Sequence, residues 1–127
     1  MKRLTILLLT VSVVVACGGE PRMTETAATY SKHVHKRLRR TIDDKERRKA
    51  LRALQDRVDR AEAEVALAGI AASKKIRSNP DATQAEIEEI LTACAAERKQ
   101  YLNQIGTLRM EMRKQMSAAE WAEVFGE

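Results

Sequence analysis

The side chains that could bind a metal ion are few in this 127-residue chain, and they fall in two regions. Two histidines lie two residues apart near the N-terminal end, and a cysteine and three methionines follow in the C-terminal third. Imidazole suits zinc, copper or nickel, and thioether sulfur suits Cu(I). A metal site built from these residues would use His33, His35, Cys94, Met112 and Met116.

The spacing of these residues favours a structural interpretation. His33 and His35 are about 200° apart around a helix and cannot both face one ion on a regular helix. Met112 and Met116 can share a face, but methionines at helical spacing usually belong to a core. Cys94 is predicted to be a small buried residue of a helix, and the alternatives are an intermolecular disulfide and a metal ligand. Metal binding by zinc, copper or nickel therefore stays an alternative, and we expect no other cofactor.

Enzymatic chemistry has little support in the sequence. Both histidines lie in one strongly basic segment, and no glycine-rich phosphate loop follows a hydrophobic run. No Ser, Cys or Asp is placed to form a plausible triad with them. We therefore predict a protein that is not an enzyme.

The N-terminal segment has the pattern of a secretory signal. Lys2 and Arg3 precede an apolar run over 4–16, which is too short for a permanent membrane helix. The run ends in Val14-Val15-Ala16-Cys17-Gly18, which resembles the lipobox of bacterial lipoproteins. The alternatives are an ordinary signal peptide with a chance cysteine and a single-pass anchor.

The lipobox resemblance implies a lipid-anchored protein on the periplasmic side of a bacterial envelope. Residues 1–16 would be removed, Cys17 would receive lipid, and residues 17–24 would form a tether before one domain over 25–127. Position 18 is Gly, whereas Asp at that position usually marks retention in the inner membrane. The outer membrane is therefore favoured if the cell has two membranes.

The elements that must position any site are helices. The composition is 44% apolar and 32% charged with few glycines and prolines, which favours a small all-α domain. Tyr30, Val34, Leu38 and Ile42 recur every four residues and predict a first helix over about 25–41. The apolar phase then breaks, and we expect Thr41 or Asp43 to cap a new helix.

Two long apolar seams with heptad spacing follow, separated by a turn at Pro80. They predict a long antiparallel helical hairpin, with a capping box of Thr83 and Glu86 at the start of its second helix. A second capping box, Ser117 and Glu120, opens a short helix that should fold back as an apolar plug. Because so small a fold buries little apolar surface, we expect a homodimer. The seams comprise Leu51, Leu54, Val58, Ala61, Val65, Ala68 and Ala72, and then Ile87, Leu91, Cys94, Tyr101, Ile105, Leu108 and Met112, with Arg98 as an interruption.

This order of elements in a secreted chain resembles the periplasmic CpxP/Spy family and its heavy-metal-resistor relatives. Members carry a Leu-Thr-x-x-Gln signature twice, each time at a helix start. The corresponding pentapeptides are 42–46 and 116–120, in which an apolar residue precedes a capping oxygen and a glutamate three residues later. The residues that carry this pattern are Ile42, Asp43, Glu46, Met116, Ser117 and Glu120. Lipidation departs from the best-known members, which are soluble in the periplasm.

Charge is unevenly distributed along the chain. Residues 32–60 carry twelve Lys or Arg and five acids, net +7, while residues 80–127 carry five basic and nine acidic residues, net −4. The simpler interpretation is a solvated helix face with some pairing between these two segments. The functional interpretation is a basic surface that attracts acidic proteins, anionic lipid or lipopolysaccharide phosphates. Export argues against nucleic acid as a partner.

The family resemblance implies a cradle-shaped dimer whose basic, partly apolar concave face binds unfolded proteins. The residues that could play this part are Arg37, Arg40, Arg47, Arg48 and Arg52, beside exposed members of the Tyr30, Val34 and Leu38 stripe. The predicted function is ATP-independent binding of unfolded or partner proteins in envelope stress. A metal sensor or metal buffer is the alternative, and a structural lipoprotein with one cognate partner is a further one.

Overall fold

A computed structural model of the chain describes residues 21–126, with side chains from residue 27 onward. This part consists of four helices without a strand: α1 (Pro21–Thr41), α2 (Lys45–Ser78), α3 (Gln84–Lys114) and α4 (Ala118–Phe125). Helices α2 and α3 form a long antiparallel hairpin, α1 packs along α2, and α4 folds back onto α1. The predicted all-α hairpin with flanking helices is confirmed. The predicted signal peptide, Cys17 and the first tether residues lie outside the described residues.

Helix α1 begins earlier than the sequence pattern predicts. Its first residue is Pro21, so the last four residues assigned to the tether, 21–24, are helical. A proline is well suited to the first helical position because the backbone N–H it lacks would have no partner there. The apolar periodicity starts only later, which is why the predicted start is too late.

The break between α1 and α2 uses a different cap from the predicted one. The carboxylate of Asp44 accepts a hydrogen bond of 2.6 Å from the backbone N–H of Arg47. The prediction that Thr41 or Asp43 caps this helix is therefore wrong. Because the cap lies one residue later, Glu46 occupies the second helical position and cannot complete a capping box with Asp43.

The other helix boundaries follow the sequence. Helix α2 ends immediately before Asn79 and Pro80, and capping boxes open α3 and α4. In the second box, Ser117 accepts from the Glu120 N–H at 3.1 Å and the Glu120 carboxylate accepts from the Ser117 N–H at 2.8 Å. Helix α4 stops at Gly126, whose φ of 75° is the left-handed conformation that favours glycine.

The two ends of the hairpin are packed differently. Where α1 and α4 cover it, large side chains form a cluster that we call the basal core: Val34, Leu38, Ile42, Leu51, Met112, Trp121 and Val124. Toward the turn, over 61–78 and 84–105, the buried seam consists of the smaller Ala61, Ala68, Ala72 and Cys94. We call this part the arm. No helix within residues 21–126 combines the length and apolar character needed to cross a membrane.

Candidate functional site

A polar cluster joins α1 to α2 beside the basal core. His35 lies one turn after Ser31 on α1, and Asp56 and Asp59 lie three residues apart on α2, so each pair shares a helix face. The Nε2 atom of His35 lies 3.0 Å from Asp59 Oδ2 and 3.3 Å from Asp56 Oδ1. Side-chain exposure is 16% for His35, 26% for Asp59 and 61% for Asp56, so the cluster is closed inside and open to solvent at Asp56.

Each carboxylate oxygen of Asp59 accepts a hydrogen bond from a different neighbouring side chain. The Ser31 hydroxyl donates to Asp59 Oδ2 at 2.6 Å, and the Gln55 amide donates to Asp59 Oδ1 at 2.8 Å. Gln55 is almost completely buried, and Arg109 on α3 donates to its carbonyl oxygen at 3.2 Å. The guanidinium of Arg109 in turn lies 4.5 Å from the ring centroid of Phe125 on α4. The cluster is therefore held by contacts from all four helices.

The cluster brings together three side chains that could hold a metal ion. The Ser31 hydroxyl donates to the Asp59 carboxylate and not to His35, so these residues do not form the Ser–His pair that activates a serine nucleophile in catalytic triads. One imidazole nitrogen facing two carboxylate oxygens is a donor set that divalent metals bind. Nδ1 of His35 is buried and has no hydrogen-bond partner among the described residues.

Glu62, one turn after Asp59 on α2, lies beside this cluster. Burial raises the pKa of the Glu62 carboxyl, the positive charge of Arg109 opposes the rise, and the charge of Asp59 adds to it. The ionised form of Glu62 is therefore disfavoured in the folded protein.

A second charged site joins α2 to α4. The guanidinium of Arg47 binds both carboxylate oxygens of Glu120 at 2.8 Å and donates to the backbone carbonyl of Gln115 at 3.1 Å. The Arg47 hydrogen bond and the backbone N–H of Ser117 lower the pKa of the Glu120 carboxyl, and the same pairing raises the pKa of Arg47. This pair is an instance of the predicted attraction between the basic and acidic segments of the chain.

The predicted protein-binding residues divide into three groups. Arg37 donates to the carbonyl of Val124 at 3.1 Å, which with Arg47 ties helices together, and Arg48 donates to the carbonyl of Ile42 at 3.0 Å in the link between α1 and α2. Arg40, Arg52 and Tyr30 are exposed, as predicted. Val34 and Leu38 are not, since both have no exposed surface in the basal core. Their part of the prediction is wrong because α4 folds over the face that carries them.

The predicted metal ligands do not form one site. His33 is exposed and His35 turns toward α2, as expected for residues two apart on a helix. Met112 is completely buried in the basal core, where Met116 packs against it, and Cys94 is buried in the arm beside the carbonyl of Ala68. Their burial confirms the structural interpretation of these residues.

Sequence reasoning missed Asp56 and Asp59, which are the actual neighbours of His35. A signal was present, because two acids three residues apart interrupt the most basic segment of the chain. That spacing shows only that they share a face. It does not show that the face meets His35.

Comparisons with known proteins add no assignment. No family model, curated protein or solved structure matches this chain.

Proposed function

We propose that this protein is a lipid-anchored helical protein of the bacterial envelope that binds unfolded or partner proteins without ATP. The observation that carries the proposal is a basic outer face on α1. Its residues are spaced three or four apart and lie opposite the buried Val34 and Leu38, so they point away from the fold. This face consists of the exposed Lys32, Lys36, Arg39 and Arg40, and the exposed Arg52 follows on α2.

Charge and apolar contact would act at different stages of binding. Exposed positive charge attracts acidic proteins over a distance and does so less at high salt, because ions screen it. Exposed large apolar side chains can then contact apolar segments of the client. Tyr30 is 43% exposed, Leu67 54% and Ile70 45%. Binding of this kind is weak and transient, and it keeps apolar client segments away from each other.

Three of the five arginines predicted to bind proteins already make contacts within the fold. Arg37 and Arg47 join helices and Arg48 contacts the link between α1 and α2, so their replacement would disturb the fold as well as any binding. Arg40 and Arg52 are the predicted arginines that can be changed with little effect on packing. They are therefore the residues on which a test of function should rest.

The test follows the aggregation of a chemically denatured client by light scattering in chelator and reductant. The chain from Gly18 to Glu127 should suppress scattering near equimolar ratio, and added salt should weaken the effect. The R40E/R52E variant should lose most of the suppression. K74E/K75E is the matched control, because it makes the same charge change at two exposed lysines near the turn. No suppression by the wild-type chain, or equal loss in both variants, would reject the proposal.

A structural lipoprotein with one cognate partner predicts a different outcome. It would capture one protein tightly and would leave the denatured client to aggregate. A homodimer is compatible with either function. Sedimentation over a range of concentrations tests for this homodimer.

Attachment to the membrane is proposed through lipid on Cys17. Metabolic labelling with a radioactive or clickable fatty acid should mark the wild-type protein and not C17S. Fractionation should move C17S from the membrane to the soluble fraction. Label on C17S would contradict the lipobox assignment.

A further inference from the structure

We propose that His35, Asp56 and Asp59 form a binding site for a divalent transition-metal ion that links α1 to α2. Of the metal ligands predicted from the sequence, this site uses His35 alone. Its other ligands are two aspartates from the neighbouring helix. The site is separate from the basic outer face of α1, and binding of metal there does not depend on binding of proteins.

Two of the three distances between the ligand atoms, those from His35 to each aspartate, are close to the spacing of ligands in a metal site. Nε2 of His35 lies 3.0 Å from Asp59 Oδ2 and 3.3 Å from Asp56 Oδ1, and all three atoms lie within 4.8 Å of one another. In a tetrahedral zinc site with bonds of about 2.0–2.1 Å, ligand atoms are roughly 3.3 Å apart. The described arrangement already approaches that spacing.

The residues around the site hold a ligand in place as outer-shell partners do in metal proteins. Ser31 and Gln55 each donate a hydrogen bond to one oxygen of Asp59, which fixes the plane of its carboxylate. Gln55 is itself 1% exposed and is held by Arg109. A buried amide held from a third helix gives the carboxylate a defined orientation before any ion arrives.

Among the described residues, the two aspartates have no permanently charged ion-pair partner. Asp56 and Asp59 lie within the segment of net +7, yet among the described residues their ion-pair partner is His35 and not a Lys or Arg. One Nε2–H group can donate only one proton to two carboxylate oxygens. An ion at this position would instead contact the ring nitrogen and both oxygens at once.

The donor set and the access route indicate the class of ion. One imidazole nitrogen with two carboxylate oxygens suits zinc, nickel or Cu(II), whereas calcium and magnesium prefer oxygen ligands alone. Asp56 is 61% exposed and gives an ion a path from solvent, while three protein ligands leave a position for water. Zinc is the reference ion for the test.

The test uses the full chain in detergent, from which bound metal is removed with chelator. Zn²⁺ binding is then measured by titration calorimetry, and melting temperatures are measured in chelator and with saturating Zn²⁺. Wild type should bind one Zn²⁺ and melt at a higher temperature with Zn²⁺ than in chelator, because an ion that binds only the folded state stabilises it. H35Q and D56N should each weaken binding by about tenfold or more and lose the rise in melting temperature.

His33→Gln and Asp43→Asn are the matched controls, since both residues are exposed and lie outside the cluster. They should bind Zn²⁺ as wild type does. If H35Q does not fold, D56N is the variant that tests the proposal. Asp56 is the most exposed ligand, so the circular dichroism spectrum of D56N in chelator should equal that of wild type. The proposal is overturned if wild type shows no saturable binding, if D56N binds normally, or if H33Q weakens binding as much as H35Q.

Discussion

The hairpin has two ends, the base that contains the basal core and the arm. Both ends have the same heptad pattern, but they differ in how deeply its apolar side chains are buried. In the base, side chains such as Leu38, Leu51 and Met112 have no exposed surface, because α1 and α4 close over the hairpin. In the arm, the same seam positions hold half-buried residues such as Ile87 and Leu91, and Leu67 is 54% exposed. A two-helix seam therefore leaves apolar surface that only further helices or a partner can cover.

The largest effect on stability should come from the basal core. Leu38→Ala should lower the free energy of unfolding by about 2–5 kcal/mol, because a fully buried leucine leaves a cavity. Leu91→Ala, at a half-buried position of the arm, should cost about 1 kcal/mol. Urea denaturation followed by circular dichroism measures both. An equal cost at the two positions would mean that the arm is closed by another copy of the chain.

The next effect concerns the attachment of α4 to the base. E120Q removes the charge that Arg47 binds through two oxygens and should loosen α4, which the fluorescence of Trp121 reports, since it is the one tryptophan of the chain. E123Q is the matched control, an exposed glutamate on the same helix. Equal spectra for E120Q and wild type would show that apolar contacts alone hold α4.

The Arg47–Glu120 pair should make the stability of the protein fall at acidic pH. The pKa of Glu120 is lowered in the folded state from its ordinary value of 4.5, so its contribution is present at neutral pH and is lost as the pH falls through the folded-state pKa. As the pH falls below 4.5 and through the lower folded-state pKa of Glu120, the melting temperatures of wild type and E120Q should therefore converge. A constant difference at all pH values would contradict the role of the charge.

Glu62 should have a smaller effect of the opposite sign. Its pKa is raised in the folded state, so its ionised form opposes folding and any stability from its protonated form is lost as the pH rises. E62Q should therefore raise the melting temperature at neutral pH and gain less at acidic pH. E64Q, at an exposed position two residues after Glu62, is the control. A lower melting temperature for E62Q would mean that its pairing with Arg109 outweighs burial.

The smallest effect is expected on the outer side of the arm. Leu67→Ser should change the free energy of unfolding by no more than about 0.5 kcal/mol, because the side chain is already 54% exposed. The same variant should suppress client aggregation less well than wild type. A large loss of stability would place Leu67 in a contact between copies.

Local pattern determined most of the fold. The two apolar seams, the break at Pro80 and the capping boxes at Thr83 and Ser117 are properties of neighbouring residues, so their spacing was sufficient to predict them. The predicted first cap missed by one residue, since Asp43 and Asp44 are chemically equal and only backbone geometry separates them.

Only the tertiary structure shows which helix faces pack against each other. Arg47 lies 73 residues from Glu120, and His35 lies 24 residues from Asp59, so no helical periodicity relates the members of either pair. Val34 and Leu38 have the spacing of an amphipathic stripe, and whether that stripe is a binding surface or a core depended on where α4 folds. The sequence by itself determined the helices, their apolar faces and most of their ends, apart from the start of α1 and the cap of α2, because these depend on residues within a few turns. The ion pair, the polar cluster and the burial of α1 depend on how helices rotate and pack against each other, and that is fixed only when all four are in place.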